Sequence, residues 1–295
     1  MMSKKVLVTL ANYDYIEYSK SLFESAKLSG KWDGDFVLIV PEEDKDKIDK
    51  SIFDKKGINV YFGKTLIGNP EVNFYKIYLL DKYFQKWDWI FYTDLDVLFF
   101  NKIELDLNLR DEKYLYANPD GLSFINQFYN RLDWGISPYN LPFNNDKINL
   151  WINPKSKIKE IPKEISKISK KDCNAFQSCF MLFNTRFIEL KYFQKLYDSY
   201  KIYFEYFNQG KSHLRDQPIF NLVFYKKWKY LNDKFINKYP IFDKINWDLK
   251  LLDSGYLDNT DYSDIIALHF FRWFTPWNKN NLRFYPVWKE YNDKF

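Results

Sequence analysis

Glycine is scarce in this chain, with nine residues in 295, and no Gly-rich phosphate-wrapping loop stands near its paired acidic residues. That argues against a metal-dependent phosphohydrolase or nucleotidyltransferase, whose phosphates rest on such loops or on further acidic ligands. Cysteine is rarer still. Cys173 and Cys179 are too few and too close together for a disulfide framework or a zinc site. No stretch approaches ~18 consecutive apolar residues, so no transmembrane segment is expected. A long block of one charge is also missing: 44 Lys and Arg are interspersed with 39 Asp and Glu, for a net charge of +5. Nucleic acid is therefore not an expected partner, although a locally basic cleft for an anionic substrate stays open. The N-terminus is basic and then apolar, but the apolar run ends at Asn12, shorter than a signal peptide needs. A cytoplasmic location is the resulting expectation.

Aromatic residues, by contrast, abound: 28 Phe, 24 Tyr and 10 Trp. Lys, Asn, Ile, Phe and Tyr share A/T-rich codons, so genome composition explains much of this. Platforms that stack on sugars or bases are the other reading. With 46% hydrophobic residues the chain can build a sizeable core, and its length suits one large domain or two small ones.

Hydrophobic patterning gives the order of elements. Residues 6–10 read as a buried parallel strand, followed by the polar and aromatic loop Ala11, Asn12, Tyr13, Asp14, Tyr15. Leu22, Phe23, Ala26 and Leu28 then fall at helical spacing, and residues 35–41 form a second strand ended by Pro41. A solvated helix is expected over 42–56 and a third strand over 58–62. Phe74, Ile77, Leu80 and Phe84 mark one face of a helix. Residues 89–100 make a fourth strand, 176–183 another, and 265–271 the last. Helices are expected through Phe187, Leu190, Phe193, Leu196 and Tyr197, and from Asp216, where an Asp cap and Pro218 fit a helix start. The stretch 118–171, with Pro119, Pro138, Pro142, Pro154 and Pro162 and a Lys-rich tail, reads as a loop- and helix-rich insertion: a lid, an acceptor platform or a surface excursion. The alternation predicts an α/β fold, a Rossmann-like, mainly parallel central sheet flanked by helices. Ligands of such sheets bind beyond the carboxyl ends of the strands, where the 11–15 loop would lie.

The fourth strand carries the chemistry. It is apolar except for Asp94 and Asp96, which strand alternation turns to one face while Leu95 faces the other. Two buried carboxylates are costly without a cation, and a hard divalent metal is the usual partner. A histidine on an apolar strand, His269, is more often a hydrogen-bonded core residue. Beside two aspartates it completes a plausible Mn²⁺ or Mg²⁺ site.

These segments resemble glycosyltransferase family 8, the family of glycogenin and of bacterial lipopolysaccharide galactosyl- and glucosyltransferases. Thr93-Asp94-Leu95-Asp96 looks like the Asp-x-Asp motif of nucleotide-sugar glycosyltransferases with the GT-A fold. The run from His269 to Trp277 is similar to His-x-x-Gly-x-x-Lys-Pro-Trp. The run from Phe176 to Asn184 resembles Phe-Asn-Ser-Gly-Val-Met-Leu-x-Asn, and that from Asp216 to Asn221 resembles Asp-Gln-x-x-x-Asn. The motifs keep the family's order over residues 5 to 280.

The resemblance implies one GT-A domain over 1–295, with a nucleotide-binding part near 1–117, the insertion at 118–171 and an acceptor part near 172–295. It implies a retaining, metal-dependent hexosyltransferase. Mn²⁺ or Mg²⁺ would be held by Asp94, Asp96 and His269, the donor would be a UDP-sugar and the acceptor a glycan or glycoconjugate hydroxyl. Leu10, Asn12, Tyr15, Lys76, Asp94 and Leu95 would line the donor site, and Asp216 and Gln217 would stand at the reacting sugar. The sequence also departs from the pattern. Arg272 and Thr275 replace the motif glycine and lysine, and Gln177 and Cys179 replace its Asn and Gly. Arg272 is the residue expected to restore the lost phosphate-side charge, and Cys179 to alter the choice of donor. Loss of that lysine keeps a second reading open, a catalytically silent nucleotide-sugar-binding protein. The aromatics between 270 and 288 suit an acceptor groove or peripheral contact with a membrane surface.

Overall fold

The computed structural model describes residues 3–68, 70–119, 175–210, 216–236, 263–270, 275–279 and 281–295, with 202–210 as backbone only. Strands β1 (Lys5–Leu10), β2 (Asp35–Pro41), β3 (Ile58–Gly63) and β4 (Trp89–Thr93) are joined by β6 (Leu115–Pro119), β7 (Phe176–Asn184) and β8 (Trp228–Tyr230). Together they form a seven-stranded sheet of order β3-β2-β1-β4-β7-β6-β8. The first four pair in parallel, β7 runs antiparallel to β4 and β6, and β8 returns to parallel beside β6. A smaller sheet sets β10 (Ala267–His269) between β5 (Val97–Phe99) and β9 (Phe235–Ile236).

Alternation along the central strands splits the core in two. Val6, Val8, Leu10, Ile90 and Tyr92 face one layer, built from the segment Val72–Leu80 and the helices Tyr192–Gly210 and Gln217–Val223. Leu7, Phe36, Leu38 and Phe91 face the other, where the helix Ser19–Leu28 buries Leu22, Phe23 and Ala26. The C-terminal helix Phe284–Lys294 lies outside that helix, tied to it by a 2.5 Å hydrogen bond between the Ser29 and Tyr291 hydroxyls.

Four expectations need correction. The strand foreseen over 89–100 is two strands in two sheets, parted by a turn at Leu95-Asp96, so strand alternation is not what turns the aspartates together. The segment 74–84 is two 3-10 helices, Val72–Leu80 and Lys82–Lys86, divided where the Asp81 carboxylate accepts from the Tyr83 N–H at 2.8 Å. Residues 74–80 are buried all round, wedged between the sheet and the helix Tyr192–Gly210, so no solvent face selects an α-helical period. The solvated helix over 42–56 divides into a 3-10 helix Glu42–Lys47 and a short α-helix Lys50–Asp54. The helix through Phe187 breaks after Arg186–Glu189, where Lys191 takes φ 59°, and Leu190 is left 49% exposed. Asn118 and Pro119 still belong to β6, and the rest of the expected insertion lies outside the described residues.

Candidate active site

Chain geometry at the carboxyl end of β4 assembles the site. The backbone N–H of Asp94 donates to the Cys179 carbonyl at 2.9 Å, the last link to the large sheet. Two residues on, the Asp96 carbonyl accepts from the Phe270 N–H at 2.8 Å, and Val97 pairs with His269. The small sheet thus carries His269 to the aspartates: its Nε2 is 3.0 Å from Asp96 Oδ1 and 3.6 Å from Asp94 Oδ2. One donor atom from each of Asp94, Asp96 and His269 falls within 4.8 Å of the others. Two carboxylates and an imidazole are a donor set suited to Mn²⁺ or Mg²⁺.

Lys76 lies on the far side of Asp94, 2% exposed despite its charge. Its Nζ sits 2.8 Å from Asp94 Oδ1 and 3.0 Å from Asp216 Oδ2, and 5.1 Å from the centre of the Tyr92 ring. Burial works against the ammonium, yet Asp216 and Asp94 raise its pKa above the ordinary lysine value. Burial likewise pushes the Asp94 carboxyl up, but Lys76 and His269 outweigh it and hold the pKa below the usual range. For Asp216 burial prevails, helped by Asp94, and the carboxyl sits above that range. Burial opposes a charged imidazole at His269, but Asp96 and Cys179 lift its pKa well above the ordinary value.

The Asp216 carboxylate does not cap the helix it precedes. The helix Gln217–Val223 has Asp216 at its N-cap and Pro218 in its first turn, without a side-chain cap bond. The carboxylate points instead to Lys76 and to the Ser178 hydroxyl, which donates to Oδ2 at 3.0 Å. Gln217 Oε1 accepts from the Ser178 N–H at 3.2 Å. Asn221, one turn later, accepts from the Phe176 N–H at 2.7 Å and donates to the Phe176 carbonyl at 2.8 Å, fixing the helix to β7. Asn221→Ala is expected to destabilise the protein by about 2 kcal/mol, because it leaves both buried groups of Phe176 unpaired. Urea unfolding of the two proteins measures it.

The other expected site residues divide. Parallel pairing of Val8 with Tyr92 puts the loop after β1 beside the end of β4. There Asn12 precedes a 3-10 helix, Tyr13–Tyr18, its Oδ1 buried with no hydrogen-bond partner, while Tyr15 is half exposed. The Leu10 side chain is in one core layer and Leu95 packs against the other, so both can meet a ligand chiefly through backbone. Trp277 stacks on Tyr18 at 4.2 Å and 11°, bringing the last motif back to this loop. Arg272 lies outside the described residues. Cys179, expected at the donor sugar, is buried with its thiol against His269, and burial raises its pKa.

Tyr92 and Ser178 have the strongest unforeseen ties to the site. The Tyr92 hydroxyl donates to Asp94 Oδ1 at 2.6 Å. Tyr92 stands two residues before Asp94, near the end of β4, and Ser178 falls at the serine of the motif that the run from Phe176 resembles; these signals alone give neither a role.

No protein-family model matches the sequence, and no curated protein sequence does. Solved structures resemble the chain in fold. The glycosyltransferase GlyE of Streptococcus pneumoniae TIGR4 aligns with a TM-score of 0.59 at 18% identity, over 99% of this chain and 60% of that one. The bifunctional glycosyltransferase WbbM gives 0.59 at 14% identity, over 99% and 50%. The galactosyltransferase LgtC, solved with donor and acceptor sugar analogues, gives 0.54 at 15%, over 98% and 96%. The chain therefore spans only 60% of GlyE and half of WbbM, but nearly the whole of LgtC. The GT-A α/β architecture expected from the motifs is the architecture observed.

Proposed function

We propose, from this fold and the cluster at its strand ends, that the protein is a metal-dependent glycosyltransferase. It would move a hexosyl group from a UDP-sugar to a glycan or another hydroxyl acceptor with retention of configuration. The observation that carries the reading is the convergence of Asp94, Asp96 and His269 beside a second group, Lys76, Asp216 and Gln217. Asp94, Asp96 and His269 would hold a divalent metal, which would supply a Lewis acid for the charge that develops on the departing diphosphate. His269 would bind it as neutral imidazole, so protons and metal compete for the ring.

The protein's own residues do the rest. Asn12 and Tyr15 hold the nucleoside, the first through its unpartnered buried carbonyl and the second through an exposed ring. Lys76 keeps Asp94 ionised and in place without touching solvent. Asp216 and Gln217 orient the sugar. Asp216 Oδ2 already faces an ammonium and a hydroxyl, which suits orientation better than nucleophilic attack, so we favour attack from the leaving-group face.

The test is UDP release from UDP-glucose, UDP-galactose, UDP-N-acetylglucosamine and UDP-glucuronate with Mn²⁺, repeated with EDTA. At least one donor is expected to be turned over, and EDTA to abolish turnover until Mn²⁺ is restored. Tight UDP binding with no turnover of any donor would establish the silent binding protein instead. Release indifferent to EDTA would remove the metal from the proposal.

A further inference from the structure

We infer that Ser178 is a positioning residue for the transfer step, an inference that rests on the function proposed above. The basis is local geometry in β7. Ala117 of β6 pairs with Met181, but Pro119 pairs with Phe176, so residues 177–180 stand opposite Asn118 alone. Such a bulge re-aims side chains that regular pleating would send elsewhere. This one remains tethered on its other edge, where Thr93 pairs with Phe180 and the Asp94 N–H donates to the Cys179 carbonyl.

The bulge turns every polar group of Ser178 to the site. The hydroxyl donates to Asp216 Oδ2 at 3.0 Å and accepts from Lys76 Nζ at 3.3 Å. The amide donates to Gln217 Oε1 at 3.2 Å, and the carbonyl accepts from Lys76 at 3.5 Å. Ser178 is buried, so none of these bonds is shared with bulk water. The side chain of one serine therefore sets the rotamer of Asp216, while its backbone sets that of Gln217.

An ammonium alone does not fix a carboxylate's rotation, because its attraction is nearly isotropic, whereas a hydroxyl donor selects one oxygen along one direction. Ser178 thereby holds Asp216 against the pull of Lys76 toward Asp94. The hydroxyl bonds Asp216 directly and reaches the metal-side Asp94 only through Lys76, which keeps its own 2.8 Å contact to Asp94, so its loss falls on the reacting step more than on binding of the nucleotide.

The experiment compares the wild-type chain with Ser178→Ala and Ser178→Thr on the donor the wild type turns over. For Ser178→Ala, kcat is expected to fall about 10- to 100-fold, with the Kd for UDP in Mn²⁺ unchanged within about twofold. Ser178→Thr, which keeps the hydroxyl, is expected to recover most of the rate. Unchanged kcat in Ser178→Ala would overturn the inference, as would a parallel loss of UDP affinity and Tm that marks a merely structural role. So would Thr that behaves like Ala while melting with the wild type. A wild-type chain that binds UDP without turnover fails the functional reading first, and the positioning role falls with it.

Discussion

Asp96→Asn is expected to cut Mn²⁺-dependent UDP release about 100- to 1,000-fold while leaving the fold intact. Asp96 is the cleaner ligand to remove. Asp94 neutralises the buried Lys76, so its loss strands a second charge, whereas the charged partner described for Asp96 is His269, 3.0 Å away. Asparagine keeps the volume and one oxygen but loses the negative charge that makes carboxylates the preferred ligands of hard cations. Losing one preorganised electrostatic contact to a transition state typically costs about 100- to 1,000-fold. Calorimetric titration with Mn²⁺ gives the affinity, and a coupled UDP assay gives the rate. Equal rates and an unchanged Mn²⁺ dependence, with a wild-type melt, would remove Asp96 from the metal site.

The second large effect concerns stability. Lys76→Met should destabilise the protein by about 3 kcal/mol at neutral pH, because one ammonium serves two carboxylates in a buried setting. Its pH dependence has a definite sign. Asp216 already has a raised pKa, and removing Lys76 raises it further. A carboxyl with a raised folded-state pKa contributes its stability at low pH and loses it as pH climbs from the ordinary carboxylate range to its own value. The gap between variant and wild type should therefore widen as pH rises through about 4 and above, while the share owed to Asp94, whose pKa Lys76 holds down, is lost only as pH falls further below it. Urea unfolding at several pH values reads the curve. A constant gap would show that the lysine acts by packing alone.

Much of this site was legible in the sequence because its polar residues interrupt apolar runs. Asp94, Asp96 and His269 stand out on segments that otherwise read as core, and they do converge. The break between β4 and β5 was hidden for the same reason. Val97, Leu98 and Phe99 are as apolar as β4, since they are fully buried in a second sheet, and patterning reports burial without saying which sheet provides it. The 3-10 segment escaped because Phe74, Ile77 and Leu80 recur every third residue, a spacing that serves a 3-10 helix as well as an α-helix. Lys76 could be placed near phosphate by motif, but its burial depends on the Tyr192–Gly210 helix and β7, which lie far along the chain. Ser178 lies within a motif, but its role was unreadable because its orientation follows from a bulge, and register between strands leaves no mark in a single sequence.

The turn between β4 and β5 also bears on the order in which the molecule comes together. Strands β1 to β4 are neighbours in sequence and can pair early through short crossovers. The cluster needs β10 as well, a strand from near the other end of the chain that must find β5. Closing so long a loop is slow and entropically costly until most of the chain has collapsed. The three candidate ligands thus meet only when β10 docks on β5, and an ion held there would act as a latch on the finished molecule.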